Sequence, residues 1–189
     1  MSTKKDINGK LVLSDKQIDM AVQRIINKKK KYGTSTFTMR ISGKEVTVIK
    51  YRELIDLDKL SPSSRRKVVR AYIKRVFLES TIKTIDNKTI IIKSTSGAKK
   101  ILFVKKQRIV LYIEDLIRDG MFLRTGPDYG NELVVWHYYD CYIAFDKTIL
   151  YGRINIKEID NSYRFYDINK IKEVETSTGL NSQRVSEPH

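Results

Sequence analysis

The sequence predicts an α+β fold: an antiparallel β-sheet with helices packed on one face, preceded by an N-terminal helix and a β-hairpin. Apolar residues recur at helical spacing in three segments, and in the last third of the chain they alternate with polar residues as in strands. Because 41% of the 189 residues are hydrophobic, the chain can bury a substantial core.

The N-terminal part is predicted to be a helix followed by a hairpin. Ser14 and Gln17 have the spacing of a capping box, and an amphipathic pattern follows them. The segments TFTMRI and KEVTVI alternate on either side of Ser42-Gly43, which favours a hairpin with one apolar face. Whether this region is a separate domain stays open. The expected order is a flexible start, a helix and hairpin region, a main domain and a flexible tail, at residues 1–13, 14–60, 61–175 and 176–189.

The next helix is predicted to contact nucleic acid. Ser61 and Pro62 suit its N-cap and its first position. Residues 65–75 contain six basic residues and no acid, although surface helices usually mix charges. Three of these cations repel one another at i, i+4 spacing, which favours phosphate contact over a merely solvated surface. They are Arg66, Arg70 and Lys74.

The middle of the chain is predicted to contain short strands and one helix. Residues 81–95 favour a hairpin that turns at Asp86-Asn87, and the following SGAKK is a turn that carries Lys100. A short strand is expected at 101–105, followed by an amphipathic helix that ends at Gly120. Residues 124–132, RTGPDYGNE, are predicted to be a loop because of their glycine and proline content.

Three consecutive strands are predicted beyond residue 132, and their alternation separates two faces. Two-residue turns at 146–147 and 160–161 set the register of the three strands. In this register His137 and every second residue after it, which are mostly apolar, point toward the helices. The other face then receives Trp136, Tyr138, Asp140, Tyr142, Tyr151, Arg153, Asn155 and Lys157, joined by Arg164, Tyr166 and Ile168 from the third strand.

This second face is a candidate surface for nucleic acid. Interleaved aromatic and basic side chains suit the stacking of unpaired bases between phosphate contacts. The alternative is a solvent face whose tyrosines reflect β-propensity and cross-strand pairing. The predicted contact residues on it are Tyr138, Tyr142, Tyr151, Lys157 and Arg164.

Charge and composition narrow the class of partner. Lys plus Arg number 37 and Asp plus Glu 22, so the net charge is +15, which attracts nucleic acid and, more weakly, anionic membranes. AT-rich coding is an alternative origin of this charge. One Cys excludes an internal disulfide, and together with two His it cannot form a usual structural zinc site, so no metal or cofactor is expected. The sequence shows no signal peptide or membrane span, which predicts a cytoplasmic protein without a membrane partner.

Metal-independent RNA cleavage needs only one base, one or two cations and one acid. Arg153, held by Asp140 in the predicted register, can supply the cation, and Tyr166 can donate or orient a proton. Lys100 is an accessory cation if its turn reaches this face. His137 is a candidate acid or base by residue type, but its predicted orientation toward the core favours a structural role.

The order of elements from residue 64 to 174 resembles a known superfamily. A basic helix, a strand pair around NKTIIIKSTSGAKK, a helix at IEDLIRDG and the strands from VVWHYYDCY to the closing YDI carry the likeness. They resemble the small nuclease-like domains of the barnase, EndoU, colicin and RelE superfamily, which occur in phage and mobile-element polyvalent proteins. The resemblance implies a sheet that cleaves or binds RNA without a metal, with Arg153 as phosphate cation, Tyr166 and His137 as proton-handling groups, and Lys100 as accessory cation.

Three hypotheses for function follow. The leading one is a phage- or mobile-element-associated, metal-independent endoribonuclease with a toxin-like or effector role. The alternative is a non-catalytic module that binds nucleic acid, RNA ahead of DNA, or inhibits a host nucleoprotein; an immunity protein is a further expected partner. The third is a structural interaction domain whose charge is compositional. The sequence leaves the oligomeric state open.

Overall fold

The computed structural model describes residues 4–92, 104–145 and 148–174. Within these residues it confirms the predicted α+β class, with helices on one face of a sheet. The helices are α1 (Asp15–Tyr32), α2 (Pro62–Val76), α3 (Val104–Val110) and α4 (Ile113–Arg118). The strands are β1 (Lys4–Lys5), β2 (Leu11–Val12), β3 (Thr36–Ile41), β4 (Lys44–Lys50), β5 (Thr81–Lys83), β6 (Thr89–Ile91), β7 (Met121–Pro127), β8 (Val134–Phe145), β9 (Thr148–Ile159) and β10 (Ser162–Val174).

Eight of the described strands form one mixed sheet. Seven follow the order β3-β4-β8-β9-β10-β6-β5, and β7 pairs with β8 beside this path. The long strands β8, β9 and β10 are antiparallel, whereas β4 runs parallel to β8, and β6 runs parallel to β10. The outer edge of β8 is therefore divided between β7 along its first half and β4 near its end.

The main hydrophobic core lies between the helices and one face of this sheet. Val68, Val69 and Tyr72 of α2 are fully buried in it, and each apolar side chain contributes about 2 kcal/mol by leaving water. Ile25 of α1 belongs to the same cluster, so the N-terminal helix is packed into the main core. The sheet supplies alternate residues of β8 and β9, namely Tyr139, Cys141, Ile143, Ile154 and Ile156.

A second, smaller core lies on the opposite face of the sheet. The β3–β4 hairpin turns at Ser42-Gly43 as predicted, and it places Phe37 opposite Val48 and Met39 opposite Val46. Its apolar side packs against the ends of β8, β9 and β10, at Tyr142, Ala144, Ile149 and Val174. The hairpin thereby covers one end of a face that the sequence predicts to be open.

The chain before α1, which the sequence predicts to be flexible, contains two short strands. Residues 4–12 form a small antiparallel strand pair, and Leu11 packs against the main core. α1 begins with the predicted capping box between Ser14 and Gln17, and its C-cap is Gly33. The tail from residue 175 lies outside the described residues.

Two predictions for the middle of the chain differ in part from the structure. The described part of the predicted strand at 101–105, residues 104 and 105, belongs to α3, because a short apolar run fits a buried helix and a strand equally well; residues 101–103 lie outside the described residues. In the predicted loop at 124–132, residues 124–127 belong to β7, whereas residues 128–132 form turns as predicted. Gly126 lies against the Tyr138 ring, where a Cβ atom would come within 3.1 Å, so here glycine indicates close packing and not a turn.

A buried ion-pair network joins the end of α1 to α4. Asp115 is 4% exposed and accepts hydrogen bonds from Lys29 Nζ at 2.6 Å, Thr34 Oγ1 at 2.6 Å and Arg118 Nη2 at 2.8 Å. Burial opposes ionisation of this carboxyl, but the charge of Lys29 and the three hydrogen bonds outweigh burial and lower the pKa of Asp115. Ionised Asp115 therefore stabilises the folded state.

We expect Asp115→Asn to lower the free energy of unfolding by about 3 kcal/mol at neutral pH, because Lys29 and Arg118 lose their buried anionic partner. Since the pKa of Asp115 is lower in the folded than in the unfolded chain, its stabilisation is complete above the unfolded pKa and disappears as the pH falls. Urea denaturation should show the gap between wild type and variant narrowing below about pH 4. The exposed Asp19→Asn should match wild type, and a gap that persists in acid would contradict this role.

Candidate nucleic-acid interface

β8 and β9 have the register that the sequence predicts, so the sheet face opposite the helices receives the predicted side chains. Its four cross-strand pairs are Trp136–Lys157, Tyr138–Asn155, Asp140–Arg153 and Tyr142–Tyr151. We call these eight residues, together with Arg164 and Tyr166 of β10, the open face. Arg164 lies opposite Lys157, which also agrees with the prediction.

A β-bulge in β10 decides which of its side chains reach the open face. The pairing with β9 shifts by one residue, so that Asp167 rather than Tyr166 lies opposite Asn155. Tyr166 still reaches the open face, where its ring lies edge-on to Trp136 with 4.8 Å between the centroids. The predicted place of Ile168 on this face is wrong, because the shift turns its side chain into the main core, where it is fully buried.

Asp140 holds two open-face side chains in place. Its Oδ1 accepts hydrogen bonds from Arg153 Nε at 2.9 Å and from the Tyr151 hydroxyl at 2.7 Å, and the residue is 8% exposed. The hydrogen bond to Asp140 raises the pKa of Arg153, while burial and the same carboxylate raise the pKa of Tyr151. Arg153 is therefore an oriented cation, and Tyr151 is a hydrogen-bond donor rather than a base.

A cleft of about 980 Å³ opens beside this network. The end of β3 and the turn after it form one wall, and the C-terminal half of β10 forms the other. Its volume lies in the range of small-ligand sites, roughly 300–1,000 Å³. Cations and aromatic rings that line it include Arg40, Arg153, Lys170, Lys172, Tyr142 and Tyr151.

The other end of the open face is built around Trp136. The indole Nε1 donates to Asp128 Oδ2 at 3.1 Å, and Lys157 Nζ lies 5.6 Å from the centre of the ring. The Arg124 guanidinium lies 5.0 Å from the centre of the Tyr138 ring. Because Arg124 belongs to β7, a strand that the sequence does not predict supplies one of the cations of this surface.

The three cations predicted on α2 lie on the other side of the molecule. Arg66, Arg70 and Lys74 are exposed, and none of them has an ion pair with any residue that the structure describes. The buried side of α2, including Val68 and Tyr72, packs onto the main core. Since this core fills the space between α2 and the sheet, the α2 cations and the open face do not form one continuous site.

His137 points toward the helices, as predicted, and both of its ring nitrogens have partners. It is 3% exposed, with Nδ1 3.0 Å from Lys88 Nζ and Nε2 2.5 Å from Glu158 Oε2. An ammonium group only donates, so Nδ1 accepts and the ring hydrogen lies on Nε2, directed at Glu158. His137 is thus on the opposite side of the sheet from Arg153 and Tyr166, and the structure does not bring these three candidates together.

The neighbours of His137 are residues that the sequence analysis missed. Lys88 Nζ lies 3.5 Å from Asp86, and the Tyr139 hydroxyl donates to Asp86 at 3.1 Å. Burial opposes ionisation of Asp86, but hydrogen bonds from Thr84 and Tyr139 and the charge of Lys88 lower its pKa. Asp86 lies in the predicted turn and Lys88 directly follows it, yet only the pairing of β6 with β10 brings them to His137.

Lys100 lies outside the described residues, so its role as accessory cation stays a prediction. Across residues 4–92, 104–145 and 148–174, no three side chains of His, Cys, Asp or Glu gather in a group that could hold a metal ion. Over the same residues, no helix combines the length and apolar character needed to cross a membrane.

Comparisons of the chain with protein-family models, with curated proteins and with solved structures found no match. The resemblance to the barnase, EndoU, colicin and RelE superfamily therefore stays a prediction that rests on the order of elements. What the chain does must be inferred from its own charges, rings and contacts.

We expect Asp140→Asn to lower the free energy of unfolding by about 2 kcal/mol, because Arg153 loses a largely buried counter-charge. Tyr151→Phe should cost about 1 kcal/mol, because it removes one neutral donor and leaves the ion pair intact. Urea denaturation of both variants at neutral pH checks the order of the two effects. An Asp140→Asn protein as stable as wild type would show that the carboxylate does not hold this network together.

Proposed function

We propose that the chain binds single-stranded nucleic acid, RNA ahead of DNA, along the open face. The observation that carries this proposal is the presence of aromatic rings and cations side by side on one face of β8 and β9. The rings are Trp136, Tyr138, Tyr142 and Tyr166, and the cations are Arg153, Lys157 and Arg164, with Arg124 of β7 beside the Tyr138 ring. The preference for RNA follows from the family resemblance alone.

Unpaired bases are the ligand chemistry that suits such a face. Aromatic side chains stack on bases of any sequence, and each stacked base contributes about 1–3 kcal/mol. The cations between the rings neutralise phosphates and release counterions, in keeping with a net charge of +15. A duplex keeps its bases stacked on one another. Its phosphates could contact the cations of the open face, but its bases could not stack on the aromatic rings.

The α2 cations are assigned a secondary role. The main core separates Arg66, Arg70 and Lys74 from the open face, so one short strand does not contact both surfaces. Their charge attracts nucleic acid at long range and raises the rate of encounter. The open face then supplies the stacking contacts that hold a single strand.

Strand cleavage is supported less well than binding. The proton-handling candidates His137 and Tyr166 lie on opposite faces of the sheet, and both nitrogens of His137 already have partners. Metal-independent endoribonuclease activity stays a prediction, as do a toxin-like effector role, inhibition of a host nucleoprotein and pairing with an immunity protein.

Labelled RNA incubated with the protein in EDTA should be bound and left intact. Cleavage that resists EDTA and is abolished by Arg153→Ala would instead favour the enzyme hypothesis.

A fluorescent single-stranded RNA should bind with an affinity that falls steeply as salt rises, because phosphate contacts release counterions. The double variant Tyr138→Ala, Lys157→Gln should weaken binding about tenfold or more, because a stacking ring and a phosphate contact are both lost. Replacing Arg66, Arg70 and Lys74 together by Gln should weaken binding less, although it removes more charge. Fluorescence anisotropy titrations at two salt concentrations measure both effects.

Arg24→Gln is the matched control for loss of a single charge, because Arg24 is exposed on α1, on the helix side of the sheet. It should stay within about twofold of wild type. If the α2 triple variant weakens binding more than the open-face double variant, the principal contact lies on the helices. Binding that does not respond to salt would rule out phosphate contact altogether.

A further inference from the structure

We propose that the cleft beside Tyr142 and Tyr151 binds the phosphomonoester of a nucleotide, and that this nucleotide is the end of the strand held by the open face. The inference deepens the proposed function and rests on it in one respect, namely that a single strand lies along the open face. The cleft itself is defined by its walls, its charge and one oriented arginine.

The cleft lies where the open face ends. Beyond the Tyr142–Tyr151 pair, the next open-side residues, Ala144 and Ile149, are packed in the second core under the β3–β4 hairpin. A strand that follows the open face from Trp136 therefore meets the hairpin and cannot continue along the sheet. The nucleotide that occupies the cleft is then a terminal one.

The charge of the cleft suits a terminal phosphate better than an internal one. Four cations and two acids line it, which leaves two positive charges in excess: Arg40, Arg153, Lys170 and Lys172 against Asp140 and Glu173. An internal phosphodiester carries one negative charge, whereas a phosphomonoester carries about −1.5 to −2 at neutral pH. The monoester therefore matches the excess charge of the cleft more closely.

Arg153 is oriented before any ligand arrives. Its Nε donates to Asp140 Oδ1, which fixes the plane of the guanidinium, and among the described residues its two Nη atoms donate no hydrogen bond to a carboxylate. A guanidinium fork held in this way can donate two parallel hydrogen bonds to phosphate oxygens. Tyr142 lies 5.6 Å from Tyr151, measured between ring centroids, and offers a half-buried ring to the terminal base.

A second irregularity of β10 brings another cation to the cleft. Asn169 lies opposite Arg153, so regular alternation would turn Lys172 toward the helices. The register shifts between these residues, and Lys170 has a φ of 53°, in the left-handed region that non-glycine residues rarely adopt. As a result Lys172 lies opposite Tyr151, with its Nζ 5.6 Å from the centre of that ring. Strained backbone of this kind tends to persist where it positions functional groups.

The test compares single-stranded RNA oligonucleotides of one sequence that end in a 5′-phosphate, a 3′-phosphate or hydroxyl groups at both ends. One phosphorylated form should bind about tenfold more tightly than the hydroxyl form, because a doubly charged group meets an oriented arginine and further cations. The exposed double variant Arg40→Gln, Lys172→Gln should lose this preference. Arg164→Gln, on the open face but outside the cleft, should weaken all three forms alike and keep the preference. Adenosine monophosphate, titrated alone, tests whether a free nucleotide occupies the same cleft.

The outcomes separate this inference from the proposed function. Equal affinity for phosphorylated and hydroxyl ends, with binding intact, overturns the terminal-phosphate site and leaves single-strand binding standing. If no oligonucleotide binds, the proposed function falls. In that case adenosine monophosphate decides whether the cleft is a phosphomonoester site. Binding that is abolished by Arg40→Gln, Lys172→Gln would support such a site. If adenosine monophosphate does not bind either, the proposed function and the phosphomonoester site are both overturned.

Discussion

The twelve consecutive pairs between β8 and β9 fix which side chains meet the core and which meet solvent. A slip of one residue would place Asp140, Arg153 and Lys157 under the helices, and burying such charges costs several kcal/mol. On the edge of β8 away from β9 lie β7 and β4, and β10 pairs with the other edge of β9. The helices cover the face that alternation leaves apolar, so the location of the open face follows from this one pairing.

This pairing is predictable from the sequence because its determinants are local. Between β8 and β9 the determinant is the alternation of apolar and polar residues, and in the next hairpin, between β9 and β10, the turn contributes as well. There Asp160 and Asn161 have φ values of 49° and 58°, as a two-residue turn with both central residues left-handed requires, and Asp and Asn tolerate that conformation. Period-two alternation on both sides of the turn then assigns each side chain to a face. The residues that determine where α1 and α2 begin are also local. The predicted capping box at Ser14 and the predicted N-cap at Ser61 both form.

The features that could not be predicted from the sequence depend on contacts between segments that are distant along the chain. The two register shifts of β10 carry no turn residue that marks them, yet they turn Ile168 into the core and Lys172 out of it. Arg40 and Lys172 line one cleft only because the β3–β4 hairpin packs over the ends of the long strands. His137 was assignable to the core side from its place in the strand, but its partner Lys88 comes from a hairpin that joins the sheet through β10.

Asp140 is the one acid among the eight β8–β9 residues of the open face, and it lies among cations. The carboxylate lies under the surface, where it lowers the repulsion among the surrounding cations while the cleft keeps an excess of positive charge. A fully exposed acid would be screened by water and would compete with a phosphate for Arg153. Held beneath the surface instead, it binds one side of the guanidinium and orients the fork. The negative charge of Asp140 therefore pre-organises a cation of the open face, as the proposed phosphate contact requires.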